Sequence, residues 1–555
     1  MIKRFLLTFA LFILPYPVLA QGIVTSADPR ASDAGLEILH KGGSATDAAM
    51  AMMLALTVVE PQSSGIGGGG FLIHHHASTG LVDTIDGRET APAAATPTRF
   101  LDAQGKPLPF MEAWPGGYSV GVPGNVALMA KAHGKWGKLP WADLFAPAIK
   151  LAEDGYDVTP RLFNSLSNVQ KIWTDFPAIQ KLYWKDGAPA PVGTHIRNPA
   201  LAKILREIAA EGPSAFYSGA NAEAIATIVS NAPKNPVPLT AEDLAGYQAK
   251  DRAPVCGPYR QYTICGMGPP SSGATTVLQI LEMVERFDMR KLGKDSPVAW
   301  HLIAEAMRLA YADREKYLGD RDFVDVPVAG LIDPAYVKAR SRLLSPTKTL
   351  GNYEAGTPPG AKPRTAALTS EVAGTTHFIA IDRDGDIASM TSTVESAFGS
   401  QLLANGYVLN NELTDFTFAP EKDGAPVANR VEAGKRPMSS MSPTIVYDAQ
   451  GKPVFTVGAA GGATIIMQVA KALIARLDWD MSPRDAIGLG LIYFNSQGLI
   501  LEQGTTLETM KAPLEAMGHK VNIAKLGLKA NAAALEDGHW VGAADPRSPG
   551  ESRTE

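Results

Sequence analysis

The chain has 555 residues, which is too long for one small core and enough for roughly two to four domains. Hydrophobic residues make up 45% of it and charged residues 19%, as in ordinary globular proteins. The formal net charge of -5 and the lack of a basic run argue against nucleic acids or other polyanions as partners.

Residues 1–20 have the pattern of an export signal. A positive start is followed by an apolar stretch from Phe5 to Leu14, and the small residue Ala20 precedes a plausible cut before Gln21. An uncleaved anchor is the alternative, but the stretch is shorter than the ~20 residues that a spanning helix needs. We therefore expect a periplasmic or secreted protein that has no membrane span once the signal is removed.

Residues 30–58 are predicted to be helical, with a new helix beginning after Gly42-Gly43. Ser44 and Asp47 form an S-x-x-D capping pattern, and the stretch AAMAMMLALTVV follows it. A helix that is apolar on every side is usually buried on every side. The next segment, EPQSSGIGGGGFLIHHH, is predicted to be a turn-rich loop that leads into a strand.

The middle of the chain alternates helices with polar loops, and AWHLIAEAMRLAYADREKYL is its clearest helix. Cys256 and Cys265, the two cysteines of the chain, flank two predicted strand pieces joined by a turn. In an oxidising compartment a disulfide is the natural interpretation, and free thiols are the alternative. A metal site is the weakest interpretation, since the spacing is wrong and no histidine is near.

Residues 350–374 show neither helical nor strand periodicity, so we expect an exposed linker there. Strand-like runs follow, and Asp384-Gly385 is a good hairpin turn. The chain thus divides into a helix-rich part, 21–374, and a strand-rich part, 375–555.

Thr375 lies where the linker gives way to a strand. A threonine hydroxyl is a poor nucleophile unless a base lies beside it. A cut just before Thr375 would create that base, because the new α-amino group has a pKa of about 7.7–8. Gly374 is a small residue before the cut and a strand follows, although a strand can also begin this way for structural reasons alone.

Other segments offer groups that an acyl-transfer site needs. Gly461-Gly462 provides either oxyanion-binding N–H groups or a tight turn before a helix. Glu412 and Asp415 either hold an ammonium group or cap a turn. Arg88 suits a substrate carboxylate, or it lies in a surface loop. The stretch SSMSPT from Ser439 adds clustered hydroxyls.

Two further motifs do not indicate cofactors. GIGGGGF lacks the Lys-Ser or Lys-Thr of a phosphate loop and the flanking elements of a dinucleotide fingerprint. His74, His75 and His76 alternate in direction on a strand, so three ligands to one ion are not expected.

An ordered set of segments resembles the γ-glutamyltranspeptidases, also called glutathione hydrolases. The set runs over nearly the whole mature chain and comprises GLEILHKGGSATDAAMA, VVEPQSSGIGGGGFL, DGRETAP, SVGVPGN, PPSSGATT, YADREKYLGD, TTHF, LNNELTDF, KRPMSSMSPT, AGG and ADPRS. The resemblance implies an α+β N-terminal-nucleophile hydrolase with a four-layer αββα sandwich. It also implies self-cleavage between Gly374 and Thr375 into a large and a small subunit, which stay together as a heterodimer.

The resemblance also assigns roles to residues. Thr375 matches the nucleophile, Thr393 the threonine that hydrogen-bonds it, and Gly461 and Gly462 the oxyanion hole. The groups that match those around the substrate's α-carboxylate are Arg88, Ser439 and Ser440, and those around its α-amino group are Glu395, Glu412 and Asp415. No cofactor and no metal are expected.

The implied substrates are glutathione and other γ-glutamyl compounds, with water or an amino-acid or peptide amine as acceptor. A glutaryl acylase of the same fold is one alternative, but glutaryl lacks the cation that three clustered carboxylates require. A decayed, uncut γ-glutamyl-binding protein is the other. Three departures from the family pattern affect acceptor preference: a shorter lid without tyrosine at 416–434, altered flanks around Gly461-Gly462, and GLGLIYFNSQGL in place of an APRFHHQ-like stretch.

Overall fold

A computed structural model describes residues 21–367 and 374–555, so the expected signal peptide lies outside the described residues. The α-helices before Gly374 are α1 (Pro29–His40), α2 (Ala45–Val59), α3 (Phe110–Ala113), α4 (Asn125–Trp136), α5 (Ala146–Asp154), α6 (Pro160–Val169), α7 (Pro177–Tyr183), α8 (Pro199–Glu211), α9 (Ser214–Tyr217), α10 (Gly219–Ser230), α11 (Ala241–Ala245), α12 (Gly273–Val284), α13 (Met289–Leu292), α14 (Pro297–Tyr317), α15 (Val328–Leu331) and α16 (Pro334–Ser341). Those after it are α17 (Ile465–Leu477), α18 (Pro483–Gly488) and α19 (Lys511–Ala516).

The strands before Gly374 are β1 (Ile23–Ser26), β2 (Gly69–His75), β3 (Val82–Gly87), β4 (Tyr156–Asp157), β5 (Trp184–Lys185), β6 (Ala188–Pro189), β7 (His195–Ile196), β8 (Lys250–Arg252), β9 (Val255–Tyr259) and β10 (Tyr262–Gly266). Those after it are β11 (Thr376–Ile381), β12 (Ile387–Thr393), β13 (Leu403–Ala404), β14 (Tyr407–Val408), β15 (Glu421–Lys422), β16 (Ala425–Pro426), β17 (Thr444–Tyr447), β18 (Pro453–Ala460), β19 (Ile492–Asn495), β20 (Gly498–Glu502), β21 (Val521–Ala524), β22 (Lys529–Glu536), β23 (His539–Ala544) and β24 (Glu551–Thr554). Helices dominate the part of the chain before Gly374, and strands dominate the part after it.

Two large sheets form the centre of the fold. The first has the order β24-β1-β11-β12-β2-β3-β8, and the second has the order β23-β22-β18-β17-β10-β9. Each sheet combines strands from both sides of residue 374, so neither part of the chain completes a sheet alone.

The side-chain alternation of β11 shows how the layers stack. Ile379 and Ile381 face the second sheet, where they pack with Ile445 and Ala533. Phe378 and Ala380 point the other way, into the core that contains α2. On the far side, α12, α14 and α17 share a core with strands of the second sheet. The result is the α+β, four-layer αββα arrangement that the resemblance implies, and it is confirmed.

Local sequence signals correspond to the observed elements. The Ser44 side chain accepts the Asp47 N–H at 3.1 Å, and Asp47 accepts the Ser44 N–H at 3.0 Å, so the predicted capping box begins α2. Every residue of α2 is buried, as its all-round apolar sequence predicts. All but the last residue of the AWHLIAEAMRLAYADREKYL segment lies within α14, and Asp384-Gly385 lies in the turn between β11 and β12.

Cys256 and Cys265 form a disulfide across the adjacent strands β9 and β10, which confirms that prediction. Residues 351–367 contain neither helix nor strand, as expected, but they are exposed only in part. Arg340 donates to the Glu354 carbonyl at 2.8 Å, and the Gly356 N–H donates to Asp313 at 2.8 Å. These polar anchors hold the start of the linker against α14 and α16.

Within residues 21–367 and 374–555, the structure contains no helix with the length and apolar character needed to cross a membrane.

Candidate functional site

The β11–β12 hairpin brings two threonines together. Thr375 directly precedes β11 and Thr393 ends β12, and the pairing of Thr376 with Ser392 sets the register between the strands. The Thr375 hydroxyl donates to the Thr393 hydroxyl oxygen at 3.0 Å, and the Glu395 N–H donates to the same oxygen at 2.7 Å. Thr393 therefore fixes the direction of the Thr375 side chain.

The backbone around Thr375 is tightly constrained. A Cβ atom at Gly374 would lie 1.5 Å from the Glu395 carbonyl oxygen, so only glycine fits there. Thr375 has φ of 74° and Glu395 has φ of 76°, a region that is strained for a β-branched residue above all. The Thr375 N–H donates to the Ser63 carbonyl at 3.1 Å.

A small pocket, with a cavity volume of about 10 Å³, opens beside Thr375. Its lining residues are Arg88, Thr375, Thr393, Glu395, Glu412, Asp415, Ser439, Met441, Gly462 and Ile465. Eight of these ten carry roles in the resemblance, although they come from segments far apart in the sequence. Gly374, Gly461 and Ser440 lie next to lining residues in the chain but do not line the pocket.

Arg88 is buried and is the cationic centre of this pocket. Its guanidinium donates to Glu412, to Asp415 at 2.5 Å, and to the carbonyls of Pro437 at 3.2 Å and Met438 at 3.0 Å. Burial lowers the pKa of Arg88, but the neighbouring Glu412 and Asp415 outweigh it and raise that pKa above its ordinary value. Arg88 therefore carries its charge at any physiological pH.

Glu89 is a fully buried acid behind the pocket. Neither of its carboxyl oxygens has a well-aligned hydrogen bond within the described part of the chain. Burial raises the pKa of Glu89 well above its ordinary range, and the neighbouring Glu412 raises it further. The pKa of Glu412 is likewise raised by burial, although Arg88 opposes that effect. Both carboxyls therefore bind protons more tightly than exposed glutamates do.

Hydrogen bonds from two neighbouring side chains orient Glu395. Its carboxylate accepts hydrogen bonds from the Ser396 hydroxyl and from the Asn411 amide, the latter at 2.7 Å. Asn411 also accepts the Ser396 N–H at 2.8 Å. Two neutral donors therefore orient the Glu395 carboxylate.

Ser439 and Ser440 of the SSMSPT segment differ in position. Ser439 lines the pocket, and its hydroxyl accepts the Met441 N–H at 3.1 Å. The Ser440 hydroxyl instead accepts a hydrogen bond from Arg314 of α14 at 3.0 Å. Arg436, just upstream, binds Asp86 at 2.7 Å and supports the loop of Arg88 rather than the pocket.

The glycine pair forms a tight turn between β18 and the helix α17. Gly461 has φ of 135° and Gly462 has φ of 57°, so both lie in the region that favours glycine. A Cβ at Gly461 would lie 2.7 Å from the Thr464 hydroxyl. Gly462 lines the pocket. The glycines that form the turn are therefore the same ones to which the resemblance assigns the oxyanion hole.

The departures from the family pattern lie around this site. The short segment 416–434 contains the small β15–β16 hairpin, and its Phe418 stacks on Phe100. Tyr493, from the GLGLIYFNSQGL segment, packs edge-on against Tyr311, whose hydroxyl donates to the Ala463 carbonyl at 2.7 Å. The altered segment thus supports the glycine turn through one aromatic contact.

The histidine tract divides as strand alternation predicts. His74 is buried and stacks on Trp136 with the ring centroids 4.2 Å apart. His75 faces the second sheet, where the Tyr447 hydroxyl lies 3.2 Å from its Nδ1. The two rings therefore lie on opposite faces of the first sheet.

Sequence reasoning missed Asn411 and Glu89. Both lie inside quoted motifs, LNNELTDF and DGRETAP, next to residues that were assigned roles. Their position directly beside Glu412 and Arg88 was the available signal. Their functions depend on burial, which the sequence of a loop does not reveal.

Comparisons with known proteins cover nearly the whole chain. The family model described as Gamma-glutamyltranspeptidase matches residues 31–554. The glutathione hydrolase proenzyme of Escherichia coli (strain K12) is 38% identical over 549 residues, covering 96% of this chain and 92% of that protein. The corresponding proenzyme of Bacillus subtilis (strain 168) is 36% identical over 537 residues, covering 94% and 90%. The crystal structure of cephalosporin acylase from Bacillus halodurans is 26% identical, with a TM-score of 0.85 and 99% coverage of both chains.

Proposed function

Because this chain belongs to the γ-glutamyltranspeptidase family, we propose that it is a self-processing γ-glutamyltransferase and glutathione hydrolase. Thr375 attacks the γ-glutamyl amide of glutathione or a related compound and forms an acyl-enzyme. Water, or the amine of an amino acid or peptide, then takes the acyl group. The hydrogen bond of 3.0 Å between the Thr375 and Thr393 hydroxyls, inside a pocket built around Arg88, is the observation that carries this proposal.

Self-cleavage at Gly374-Thr375 is the first step of the proposal. The strained φ of 74° at Thr375 and the absence of space for any side chain at Gly374 support it, because cutting this bond releases the strain. Cleavage also creates the α-amino group of Thr375, which serves as general base for its own hydroxyl. In the acylation step the hydroxyl proton passes to this amine as Oγ1 bonds to the carbonyl carbon. The amine then returns the proton to the nitrogen of the γ-glutamyl amide as the C–N bond breaks and the free amine leaves.

The charges of the pocket support a γ-glutamyl substrate. Arg88 is now paired with Glu412 and Asp415, and Glu395 is bound by neutral donors. In our proposal the substrate's α-carboxylate takes over N–H groups of Arg88, and its α-ammonium replaces Arg88 as partner of the acids. This exchange keeps every buried charge paired.

Other groups complete the proposed site. The N–H groups of Gly461 and Gly462 stabilise the oxyanion that develops on the carbonyl oxygen. Ser439 and Ser440 assist in holding the α-carboxylate. Cleavage leaves a large subunit that ends at Gly374 and a small one that begins at Thr375, with export preceding both.

A glutaryl acylase is the second candidate, favoured by the high structural similarity to a cephalosporin acylase. Glutaryl carries no ammonium, so it leaves the acids of the pocket without the second cation. We therefore propose a γ-glutamyl substrate in preference to a glutaryl substrate.

The test compares the purified protein with its Thr375→Ala variant, and with Thr79→Ala, an exposed position, as the matched control. Intact-mass measurement should give two fragments for the wild type and the control, one beginning at Thr375, and one uncut chain for Thr375→Ala. The wild type should then release nitroaniline faster from the γ-glutamyl than from the glutaryl anilide.

Three outcomes would change the proposal. Uncut chains from all three proteins, without release from either anilide, would favour a binding protein without turnover. Preferred release from the glutaryl anilide would favour the acylase. Cleavage in the Thr375→Ala variant would exclude Thr375 as the residue that drives processing.

A further inference from the structure

A histidine–histidine–glutamate cluster lies outside the pocket. Among the described residues, His301, Glu305 and His519 place one ligand atom each within 4.8 Å of the others, and all three are buried. His301 and Glu305 are one helical turn apart on α14, and His519 follows α19. The proposed reaction uses none of them.

The hydrogen bonds of His301 determine which of its nitrogen atoms carries a proton. His301 Nε2 lies 2.7 Å from the Ser345 carbonyl oxygen, which can only accept, so Nε2 carries the proton. The lone pair of Nδ1 therefore points toward His519, whose Nε2 lies 2.7 Å away. An imidazole that donates one N–H to a backbone carbonyl and aims its other nitrogen at a cluster has the usual arrangement of a metal ligand.

Glu305 is oriented in the same way. One of its oxygens accepts the Leu350 N–H at 2.8 Å, and the other accepts the Tyr353 hydroxyl and lies 4.0 Å from His519 Nε2. Its second oxygen therefore faces the two imidazoles, while the first is fixed by backbone. Both residues of α14 have the supporting hydrogen bonds that ligands need.

His519 is the member whose hydrogen bonding is incomplete. Its Nε2–H donates to His301 Nδ1, which leaves Nδ1 of His519 as a buried acceptor without a partner within the described residues. The side chain is only 1% exposed, so water does not compensate for this. A cation bound to His519 Nε2 would place the ring proton on Nδ1 and would replace the hydrogen bond between the two rings with two metal–nitrogen bonds.

We propose that His301 Nδ1, His519 Nε2 and Glu305 bind one Zn²⁺ ion. Two imidazoles and one carboxylate form a recognised zinc ligand set, with water in the fourth position. Ligand atoms on a tetrahedral zinc ion lie about 3.3 Å apart, given bonds of about 2 Å. His519 Nε2 lies 2.7 Å from His301 Nδ1 and 4.0 Å from the nearer Glu305 oxygen, and these distances lie on either side of that value. Small side-chain movements would therefore bring the three atoms to the spacing of zinc ligands.

The proposed site joins three separate segments of the chain. It links α14, the segment 345–353 and the turn at 517–519, where the Thr349 N–H also donates to the Met517 carbonyl at 2.8 Å. Zinc binding does not depend on the proposed cleavage. If the cleavage occurs, the ion has ligands in both subunits and reinforces their contact.

The test uses the full-length protein without a histidine tag, stripped with a chelator and then given one equivalent of Zn²⁺. After gel filtration we expect about one zinc per chain and a higher unfolding temperature than in the stripped protein. His539→Gln, at an exposed position, should behave as the wild type. His519→Gln and His301→Gln should retain no zinc, and zinc should leave their unfolding temperatures unchanged.

Co²⁺ provides a second measurement that needs no variant. Bound in place of Zn²⁺, it should give the visible absorption bands of tetrahedral coordination, and these should disappear on adding Zn²⁺. A wild type that retains no zinc and shows no tetrahedral bands would overturn the proposal. So would equal zinc retention in His519→Gln and His539→Gln. Neither result bears on cleavage or on γ-glutamyl transfer, which the Thr375→Ala experiment tests separately.

Discussion

At Gly374 and Thr375 the backbone, rather than the side chains, restricts what the residues can be. The Glu395 carbonyl occupies the space where a side chain at Gly374 would lie, and Thr375 is held at positive φ by the Ser63 carbonyl. From the sequence, we inferred only that a small residue should precede the nucleophile. The structure gives the reason, which is the close approach of the Glu395 carbonyl in the loop that follows β12.

Glu89 provides a test of the pocket's electrostatics. Its raised pKa means that the folded state favours the protonated acid, so its contribution to stability is complete below pH about 4.5 and is lost as pH rises through the folded-state pKa. Glu89→Gln is neutral at every pH. We therefore expect its unfolding temperature to rise relative to wild type as pH increases from about 4.5 toward the raised folded-state pKa of Glu89.

Thermal unfolding of both proteins across this range checks the prediction. Glu223→Gln, at an exposed helical position, is the control and should show no such trend. A constant difference between Glu89→Gln and wild type at all pH values would contradict a raised pKa at Glu89.

At single residues, the motifs named Thr375, Thr393 and Arg88, and the structure brings all three to one pocket. The sequence did not reveal that the Ser440 hydroxyl accepts a hydrogen bond from Arg314. Nor did the sequence reveal the pairing of Arg88 with Glu412 and Asp415, because the residues of each pair are more than 300 positions apart.

At the scale of elements, α2 shows how one cap connects several segments. Asp47 accepts the Ser44 N–H, and the same oxygen accepts the N–H groups of Lys138 at 2.8 Å and Leu139 at 3.0 Å. The cap therefore fixes both the start of α2 and the loop after α4. This helix packs directly behind β11 and β12, which carry the two threonines.

Ser44→Ala should lower the free energy of unfolding by about 1 kcal/mol, since it removes one capping hydrogen bond. Asp47→Ala should cost more, because it leaves three N–H groups without their acceptor. Urea unfolding measures both, with Ser78→Ala at an exposed turn as the control. Equal effects of the Ser44 and Asp47 variants would contradict this account of the cap.

Elements with strong local signals were predictable: α2 from its capping box, α14 from its length, and β11–β12 from the Asp384-Gly385 turn. The linker was predicted only in part. Its lack of periodicity is visible in the sequence, but its anchoring to Asp313 and Arg340 depends on helices that lie elsewhere in the chain.

At the scale of the whole molecule, the two proposed subunits interleave within one sheet. β1 comes from the first part of the chain, and its neighbours β11 and β24 come from the second. The second sheet likewise joins β10 to β17 across the division. Separating the parts would break backbone hydrogen bonds in both sheets and expose the core between them.

After cleavage, the two fragments should therefore elute together in gel filtration and separate only in denaturant. Reducing agent should not separate them, because Cys256 and Cys265 lie in the same fragment. Gel filtration of the cut protein with and without reductant, followed by electrophoresis under denaturing conditions, checks this. Separate elution under native conditions would contradict the interleaved arrangement.

The position of β1 also has a consequence for the timing of folding. Thr25 pairs with Ile379 and Ser552, and its hydroxyl donates to Asn531, a residue 506 positions away. At synthesis rates of about 5–20 residues per second, the first strand waits tens of seconds before its neighbours exist. Such distant pairings make the contact order high and folding slow. The first sheet can be completed around β1 only after almost the entire chain has been synthesised. Correct folding therefore requires β1 to remain unpaired until then.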